Sequence, residues 1–559
     1  MLVIIGSAII FGTAVLFSFI SVRIMIKITF GTMCKLRLKL YKHIQKLPIK
    51  YFDQNAKGDI LSRFTNDVQT LRDFVNTSLV DLINSSFTIF VSVIIMFVLN
   101  WFLTLVMLVL ISFIFVISYF LVKKSFAFRS NERKKLGELT GFSEEMLSNL
   151  RTIKLFNQEK DSEETFKKIN QELNKADYKS STYSHMMFPI SFNLGGIAYA
   201  VMTLVGGYIA VKSNDPNATL FIFISLGTLI SFTQFARSFN NLISNITYTS
   251  NSIVVALAGC SRIFQVLDTK VETDDGYIEL TKGFFQDNKF IETQKHPDSK
   301  FYWKIPKDLD FEYKLVSGEI EFKNVSFSYD ENTKVIENMS FSATKGQKVA
   351  LVGKTGAGKT TITNLLCRFY QPTNGSIFYD GININDIKLT DLRKSLGYVL
   401  QQPTLFTDTL TNNIVYGESE LNNELLSDVI EVSNLAMHVD KMTDKYETLL
   451  NDSGNNLSQG QKQLISIART SYKNPPVLVL DEATSNIDIV TEKIIQDAMD
   501  KLIKNRTTFI IANRLSTIKN ADLILVISDA KIAEQGTHEQ LIKTQGQYYQ
   551  LWQNIAQKS

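Results

Sequence analysis

Cysteine is scarce in this chain: Cys34, Cys260 and Cys367 are the only three in 559 residues. The number is odd, and no two of them lie at C-x-x-C spacing. A disulfide framework or a zinc site requires paired cysteines at characteristic separations. We therefore interpret all three as reduced thiols with a structural role.

A dense tract of basic residues is also absent, and the formal net charge is only +4. Proteins that bind nucleic acid through a basic face concentrate lysine and arginine on that face. The charge pattern therefore predicts no nucleic-acid partner.

Charge is missing altogether from five long apolar runs in the first 240 residues. The runs are Met1–Val22, Leu82–Leu99, Trp101–Val122, Phe188–Val211 and Thr219–Ala236. A helix needs ~20 residues to cross ~30 Å of hydrocarbon. One such run is compatible with a buried core helix, but five predict a multi-pass membrane domain.

The loops between these runs differ in charge, and this predicts the topology. Two long connections, after the first and the third run, are rich in lysine and arginine, whereas the turn at Asn100 carries no charge and residues 212–217 carry one lysine. The positive-inside rule places the long connections and the C-terminal half in the cytoplasm, and the N-terminus outside. Met1–Val22 could instead be a secretory signal, but it lacks a basic start and an A-x-A-like exit. We interpret it as a span.

The two basic connections have an amphipathic pattern, exemplified by Leu36, Leu40, Ile44 and Leu47, that predicts helices extending beyond the bilayer. They are either solvated helical hairpins or levers that touch the C-terminal half.

The C-terminal half contains the phosphate-loop pattern G-x4-G-K-[ST] between a strand-like run, Lys348–Val352, and a helical stretch, Thr361–Phe369. The candidate nucleotide-binding residues are Gly353, Lys354, Thr355, Gly356, Ala357, Gly358, Lys359, Thr360 and Thr361. Glycines let backbone N–H groups close on phosphates, and the helix N-terminus adds a favourable dipole. Lys359 supplies positive charge, and the Thr360 hydroxyl can ligate Mg²⁺.

A second element is the apolar run Val477–Leu480, which ends in Asp481 and Glu482. A strand here delivers Asp481 to the sheet edge, where it can bind Mg²⁺ through water, and places Glu482 to polarise an attacking water. Strands often end in acidic residues for no catalytic reason. The phosphate loop in the same chain favours the catalytic interpretation.

From about Gly318 onward the sequence resembles the nucleotide-binding domain of ABC transporters, motif by motif and in the family's order. The resemblance implies that Tyr329 stacks on adenine and that Gln401 senses Mg²⁺ and the membrane loops. Leu457, Ser458, Gln459, Gly460 and Gln461 resemble the family signature LSGGQ. It implies that Ser458 and Gly460 begin a helix aimed at the γ-phosphate bound by a second subunit, and that a loop containing Ser485 and Asp488 couples two such sites.

The resemblance extends to the membrane half. Leu47–Asp53, followed by Gly58, Ser62 and Arg63, resembles the first coupling region of fused exporters, and Arg151–Asn157 with Glu159 resembles the second. A membrane domain preceding an ATPase in one chain is the exporter arrangement. We expect an all-α transmembrane bundle (residues 1–267) with long cytoplasmic helical extensions, an extended linker (268–317), and an α/β P-loop ABC ATPase domain with a helical subdomain (318–559).

Four departures from the family pattern stand out. The run before Arg23 aligns with the family's second span. Five spans are therefore expected where six are usual. A sixth span before this run would place the N-terminus in the cytoplasm. Asn513 replaces the switch histidine and cannot carry a proton. Gln459 replaces a signature glycine, which we expect to be mild. Residues 268–317 are longer than the usual link and too aromatic for disorder, so we expect them to pack on a domain surface.

These features predict an ATP- and Mg²⁺-dependent exporter half in the plasma membrane, with its ATPase domain in the cytoplasm. Uncharged spans favour a lipid, hydrophobic drug or peptide as substrate. A complete ATP site needs a second half-transporter. Asn513 favours a heterodimer in which one ATP site hydrolyses slowly, and a homodimer is the alternative. The asparagine amide could also suffice for hydrolysis. An ATP-gated channel or regulatory subunit would share these motifs. A soluble ABC protein would lack the spans.

Overall fold

The computed structural model describes residues 1–213, 224–287, 289–293, 296, 298–308, 310–330, 333–418, 420–451, 454, 456–481, 488–512 and 515–556. The chain divides into two compact units. The first unit comprises Met1–Lys46 and Asn55–Lys270, and the second comprises Leu47–Gln54 and Val271–Ser559.

The first unit is helical throughout its described part. Its α-helices, together with α2 of the second unit, are α1 (Leu2–Ile44), α2 (Ile49–Gln54), α3 (Lys57–Ser62), α4 (Val68–Asp73), α5 (Leu79–Leu99), α6 (Trp101–Ser148), α7 (Leu150–Leu155), α8 (Glu159–Ser213) and α9 (Leu226–Asp268). Two π-helical turns, Arg63–Asp67 and Phe74–Ser78, connect α3, α4 and α5 into one helical stretch.

The predicted apolar runs coincide with these helices. The first four fall on α1, α5, α6 and α8, and α9 begins within the fifth, of which residues 219–223 lie outside the described part. Among the described residues, three stretches are long and apolar enough to cross a membrane (Leu2–Ile44, Lys57–Leu99 and Asn193–Lys212), and Trp101–Ile114, at the start of α6, is a shorter apolar stretch. The count of five spans stays a prediction.

The helices continue well beyond their apolar runs. At 1.5 Å per residue, the 55 residues of α8 and the 48 residues of α6 greatly exceed the ~30 Å of a hydrocarbon layer. The predicted helical extensions are therefore confirmed.

Local signals explain how these helices turn and pack. Asn100 ends α5 in extended backbone and caps α6, since its side chain accepts a hydrogen bond of 2.9 Å from Leu103 N. Gly206 of α8 lies so close to α9 that an added Cβ would be 2.3 Å from Leu229 Cδ1. Near the C-terminal end of α9, the Arg262 guanidinium donates to the buried carboxylate of Asp67, in the first π-helical turn.

The second unit contains three sheets within its described residues. Its strands are β1 (Glu279–Gln286), β2 (Lys289–Glu292), β3 (Lys300–Lys307), β4 (Asp310–Leu315), β5 (Ile320–Ser328), β6 (Lys334–Ala343), β7 (Lys348–Val352), β8 (Asn374–Tyr379), β9 (Ile382–Asn383), β10 (Leu396–Val399), β11 (Val477–Asp481), β12 (Thr507–Ile511), β13 (Leu523–Ser528) and β14 (Lys531–Gly536).

Helices surround these sheets. They are α10 (Lys359–Leu366), α11 (Leu389–Ser395), α12 (Leu410–Ile414), α13 (Asn423–Val432), α14 (Ala436–Val439), α15 (Gln459–Lys473), α16 (Ile489–Ile503), α17 (Leu515–Lys519), α18 (His538–Thr544) and α19 (Gln547–Ala556). The group α12–α14 forms the predicted helical subdomain.

The central sheet has the order β10-β11-β12-β7-β13-β14, and its first five strands are parallel. Strands β7, β11 and β12 are almost entirely buried, as expected for parallel strands covered on both faces. One face packs against α15 and α16, and the other against α10 and the antiparallel sheet β6-β5-β8-β9. The predicted α/β ATPase fold is confirmed.

Two segments are notable in the division of the chain into units. Leu47–Gln54 belongs to the second unit, and so do residues 271–317; the predicted domain bounds stay a prediction. The aromatic segment forms the antiparallel sheet β2-β1-β3-β4. The reason is burial: Trp303 is fully buried, packs edge-on against Tyr379 and donates its indole N–H to the Asp380 carboxylate at 2.9 Å.

Candidate nucleotide site

The phosphate loop joins β7 to α10, as the motif requires. Gly356 (φ +84°) and Gly358 (φ +100°) both lie in the left-handed region, which residues with a Cβ seldom adopt. A Cβ on Gly358 would also lie 2.9 Å from the Val335 carbonyl oxygen. The loop conformation therefore depends on glycine at these two positions.

Lys359 is the first residue of α10, and its ammonium is directed back at the loop. Nζ donates to the carbonyl oxygens of Gly353 at 2.7 Å and Lys354 at 3.0 Å. Burial lowers the pKa of Lys359, and the Asp481 carboxylate opposes that shift. Burial likewise raises the pKa of Asp481, against the influence of Lys359. The two groups thus share a partly desolvated region at the end of the sheet.

Strand register explains why residues far apart in sequence share one edge. Leu351 pairs with Ile511, and Ile511 pairs with Asp481, so the carboxyl ends of β7, β12 and β11 lie level. Strand β10 pairs in parallel with β11 at Val399–Leu480, which brings exposed Gln401, two residues beyond β10, to this edge. The phosphate loop, Asp481 and Gln401 therefore lie at the carboxyl ends of β7, β11 and β10, on the same edge of the sheet, where open α/β sheets bind ligands.

Three predicted site residues lie outside the described part of the chain: Glu482, Ser485 and Asn513. Glu482 directly follows β11, and Asn513 follows β12 by two positions. Their roles stay predictions.

Tyr329 directly follows β5 and lies beside the phosphate loop. Its hydroxyl is 3.1 Å from the Thr361 hydroxyl, and the residue is 40% exposed. The ring packs edge-on against Phe327 and Tyr370, with centroid distances of 4.8 Å and 5.0 Å. A half-exposed, buttressed aromatic ring is suited to stacking on a flat ligand.

The signature residues begin α15 through a capping box. Ser458 Oγ accepts from Gln461 N at 3.2 Å, and the Gln461 side chain accepts from Ser458 N at 2.9 Å. Exposed Gln459 occupies the first helical position, where no left-handed backbone is needed. A glutamine in place of glycine at position 459 is thus compatible with the start of α15.

Gly460, by contrast, is needed for packing. It is buried, and an added Cβ would lie 2.3 Å from Thr491 Cγ2 of α16. Asp488 caps that same helix, because its carboxylate accepts from Thr491 N at 2.9 Å. This hydrogen bond lowers the pKa of Asp488. The predicted inter-site loop therefore leads into a helix that packs on the signature.

We predict that Gly460→Ala will destabilise the second unit by about 1–3 kcal/mol, because the new methyl group must displace the Thr491 side chain in the first turn of α16. Faster hydrogen exchange at the start of α15 and a lower unfolding midpoint would report this. Gln459→Ala changes an exposed neighbour and is the matched control, with an expected effect below about 0.5 kcal/mol. Equal stability of the two variants would contradict the packing argument.

Sequence reasoning missed two side chains that connect these parts. Arg469 of α15 donates to the carbonyl oxygens of Asn413 at 2.8 Å and Thr404 at 3.0 Å, and so holds the signature helix against the chain that follows Gln401. Tyr370 donates to Asp53, 317 positions away. Neither lies in a short motif, so spacing alone offered no signal for them.

Comparison with known proteins accounts for this arrangement. Residues 1–243 match the family model described as the ABC transporter transmembrane region, and residues 336–485 match the model described as ABC transporter. The chain is 33% identical over 534 residues to the uncharacterized ABC transporter ATP-binding protein YfiC of Bacillus subtilis, covering 96% of this chain and 82% of that protein. The chain belongs to the ABC transporter family.

Two further relatives refine the comparison. The ATP-dependent lipid A-core flippase of Syntrophus aciditrophicus is 34% identical over 542 residues, covering 97% of this chain and 82% of the flippase. A bacterial Atm1-family ABC exporter, solved with ATP bound, superposes with a TM-score of 0.73 at 24% identity, over 97% of this chain and 88% of that one. The chain therefore has the fold of an ABC exporter.

Family membership and the helical first unit together define the class. The protein is a multi-pass integral membrane protein that carries a cytoplasmic ABC ATPase domain in the same chain. Its predicted resemblance, fold class and membrane location are confirmed, and ATP binding follows from the family of its ATPase domain.

Proposed function

We propose that this ABC transporter uses ATP hydrolysis to export a hydrophobic or amphipathic substrate by alternating access, as one half of a dimer. One observation carries the proposal: the phosphate loop, Asp481 and Gln401 share one sheet edge in a chain that also has a multi-pass membrane unit.

Each described residue has a proposed task at this edge. Backbone N–H groups of Gly353–Gly358 and the start of α10 close on the phosphates, and Lys359 neutralises their charge. The Tyr329 ring stacks on the base. Hydrolysis proceeds by in-line attack of a water oriented by Glu482.

The residues present also fit a magnesium ion. Thr360 offers an exposed hydroxyl in the first turn of α10, and Asp481 a carboxylate at the end of β11. Mg²⁺ prefers such oxygen ligands, with one or two carboxylates and substrate phosphates completing its shell. We propose that Thr360, Asp481 and Gln401 hold it, and that it neutralises charge that develops on the phosphates.

The dimer follows from the signature. The capped start of α15 offers backbone N–H groups and a helix dipole suited to an anion. In the family this element completes a site on a second subunit, so we propose a dimer in which each ATP lies between one phosphate loop and the partner's signature. Co-purification with a distinct second half distinguishes the favoured heterodimer from a homodimer.

Asn513 supports unequal sites, because an amide can donate to a γ-phosphate but cannot carry a proton. We predict that Asn513→His will raise ATP hydrolysis of protein containing only this chain about a hundredfold. Steady-state phosphate release measures the change, with Asn513→Ala as the control that cannot donate. A rate unchanged in the histidine variant would show that asparagine is sufficient.

The substrate class rests on two supports. The apolar runs after the first contain no charged side chain, which disfavours an ionic pathway, and one relative is a lipid A-core flippase. Substrate-stimulated ATPase activity of the reconstituted dimer, across a lipid, drug and peptide panel, tests this. Every compound leaving the basal rate unchanged would contradict it.

Asn513 also favours a second candidate, an ATP-gated channel or a weakly hydrolysing regulatory subunit. Flux into proteoliposomes separates the two functions. Uphill transport on ATP addition supports the exporter, and flux that is only downhill supports the channel.

A further inference from the structure

The segment Leu47–Gln54 belongs to the second unit although the chain on both sides of it belongs to the first. It contains the short helix α2. Its Asp53 carboxylate accepts a hydrogen bond of 2.5 Å from the Tyr370 hydroxyl. The hydrogen bond therefore lies within the second unit, although residue 53 precedes the rest of that unit by more than 200 positions in the sequence.

Tyr370 lies just beyond the helix that begins at Lys359. Helix α10 ends at Leu366, and Arg368 turns the chain with a left-handed backbone (φ +52°). The Arg368 guanidinium is buried and donates to the carbonyl oxygens of Ile384 at 3.1 Å and Ile387 at 2.8 Å. Tyr370 is therefore held at a fixed place relative to the phosphate-loop helix.

The Tyr370 ring lies against Tyr329. Its centroid is 5.0 Å from that of Tyr329, and the ring planes meet at 88°. Only 9% of Tyr370 is exposed, whereas Tyr329 is 40% exposed. Edge-to-face contact of this kind orients one ring by the other. A shift of Tyr370 must therefore tilt or displace the Tyr329 ring.

The contacts form a continuous path. It runs from the Asp53 carboxylate to the Tyr370 hydroxyl, through the two rings, and from the Tyr329 hydroxyl to Thr361 at 3.1 Å. Burial, followed by the Asp53 carboxylate, raises the pKa of Tyr370, so its hydroxyl keeps the proton that it donates. If the Tyr370 ring only filled the core, its hydroxyl would not need to donate a hydrogen bond to Asp53 of the segment Leu47–Gln54.

We propose that Tyr370 is a positioning residue of the nucleotide site: it sets the orientation of the Tyr329 ring and makes recognition of the base depend on Asp53 being in place. The proposal rests on the proposed ATP site with Tyr329 as its base platform. It adds that base affinity and phosphate affinity are separately controlled, since the path acts through the Tyr329 ring rather than through the Lys359 ammonium.

The test compares two ligands on full-length protein in lipid nanodiscs. ATP requires the base platform, and inorganic tripolyphosphate does not. We expect Tyr370→Phe and Asp53→Ala each to weaken ATP binding about tenfold, the effect of losing one hydrogen bond to a charged group, while tripolyphosphate binding changes less than about twofold. Asp53→Asn keeps an acceptor oxygen and should bind ATP nearly as the wild type does.

Further variants make the result decisive. The double variant should bind ATP no more weakly than either single variant, because both remove the same interaction. Tyr416→Phe removes the hydroxyl of an exposed tyrosine and is the matched control, with an expected change below twofold. Unfolding midpoints measured without nucleotide verify that the variants are folded.

Two outcomes would overturn the proposal: equal weakening of both ligands, which indicates a general structural role, or unchanged ATP binding in Tyr370→Phe. Failure of the wild type to bind ATP at all would instead refute the proposed function. The two failures are therefore distinguishable.

Discussion

Lys359→Ala is expected to lower ATP hydrolysis by roughly 10²–10³-fold, the usual effect of removing one preorganised charge from a reacting phosphoryl group. The Lys359 ammonium is half-buried, and the carbonyl oxygens of Gly353 and Lys354, at 2.7 Å and 3.0 Å, hold it over the loop. Alanine removes the charge and leaves both carbonyl groups without this donor.

Two comparisons identify the cause of that loss. Lys359→Arg keeps the charge, but a planar guanidinium does not match a site built for a compact ammonium, so we expect most of the activity to be lost as well. Lys345→Ala changes an exposed lysine shortly before β7 and should hydrolyse ATP at nearly the wild-type rate. Steady-state phosphate release in proteoliposomes measures all three, and an active Lys359→Ala variant would refute the proposed site.

Asp380→Ala is expected to destabilise the sheet β2-β1-β3-β4 by about 3 kcal/mol, because several buried or partly buried donors lose their acceptor at once. The carboxylate of Asp380 accepts from the Trp303 indole at 2.9 Å, from the backbone N–H groups of Gly318 at 3.0 Å and Glu319 at 2.9 Å, and from both the N–H and the hydroxyl of Ser317. Asp380 is only 3% exposed, so water cannot replace the lost acceptor.

Hydrogen exchange of the backbone amides in β1–β4 measures this effect directly. A loss of about 3 kcal/mol corresponds to local opening that is roughly a hundredfold more frequent. Asp310→Ala, an exposed carboxylate at the start of β4, is the control and should change exchange little. Unchanged exchange in Asp380→Ala would show that Trp303 packing alone holds the sheet.

Much of the nucleotide site could be predicted because its residues are neighbours in sequence. The glycines, Lys359 and Thr360 form one short loop, and the apolar run that precedes Asp481 predicts the strand that positions it. The packing reason for glycine at position 460 could not be predicted, since it depends on the close approach of Thr491 from another helix. The same holds for Tyr370 and Asp53, which are 317 positions apart.

Residues 268–317 illustrate the limit most clearly. Their aromatic content excluded a disordered linker and predicted packing on a domain surface. That they form an antiparallel sheet, held by the buried Asp380 carboxylate, depends on a contact with the turn after β8, and no periodicity within the segment specifies such a partner.

The sequence by itself determined the family, the apolar helices and the residue types of the phosphate loop, because these depend on short patterns of hydrophobicity and on chemistry confined to a few adjacent positions. Only the tertiary structure decided which unit contains Leu47–Gln54, what the aromatic segment packs on, and that Tyr329 is backed by Tyr370. These outcomes depend on side chains that are distant in sequence, by 77 positions for Trp303 and Asp380 and by 317 for Asp53 and Tyr370. Burial and hydrogen-bond geometry, rather than local pattern, select such partners.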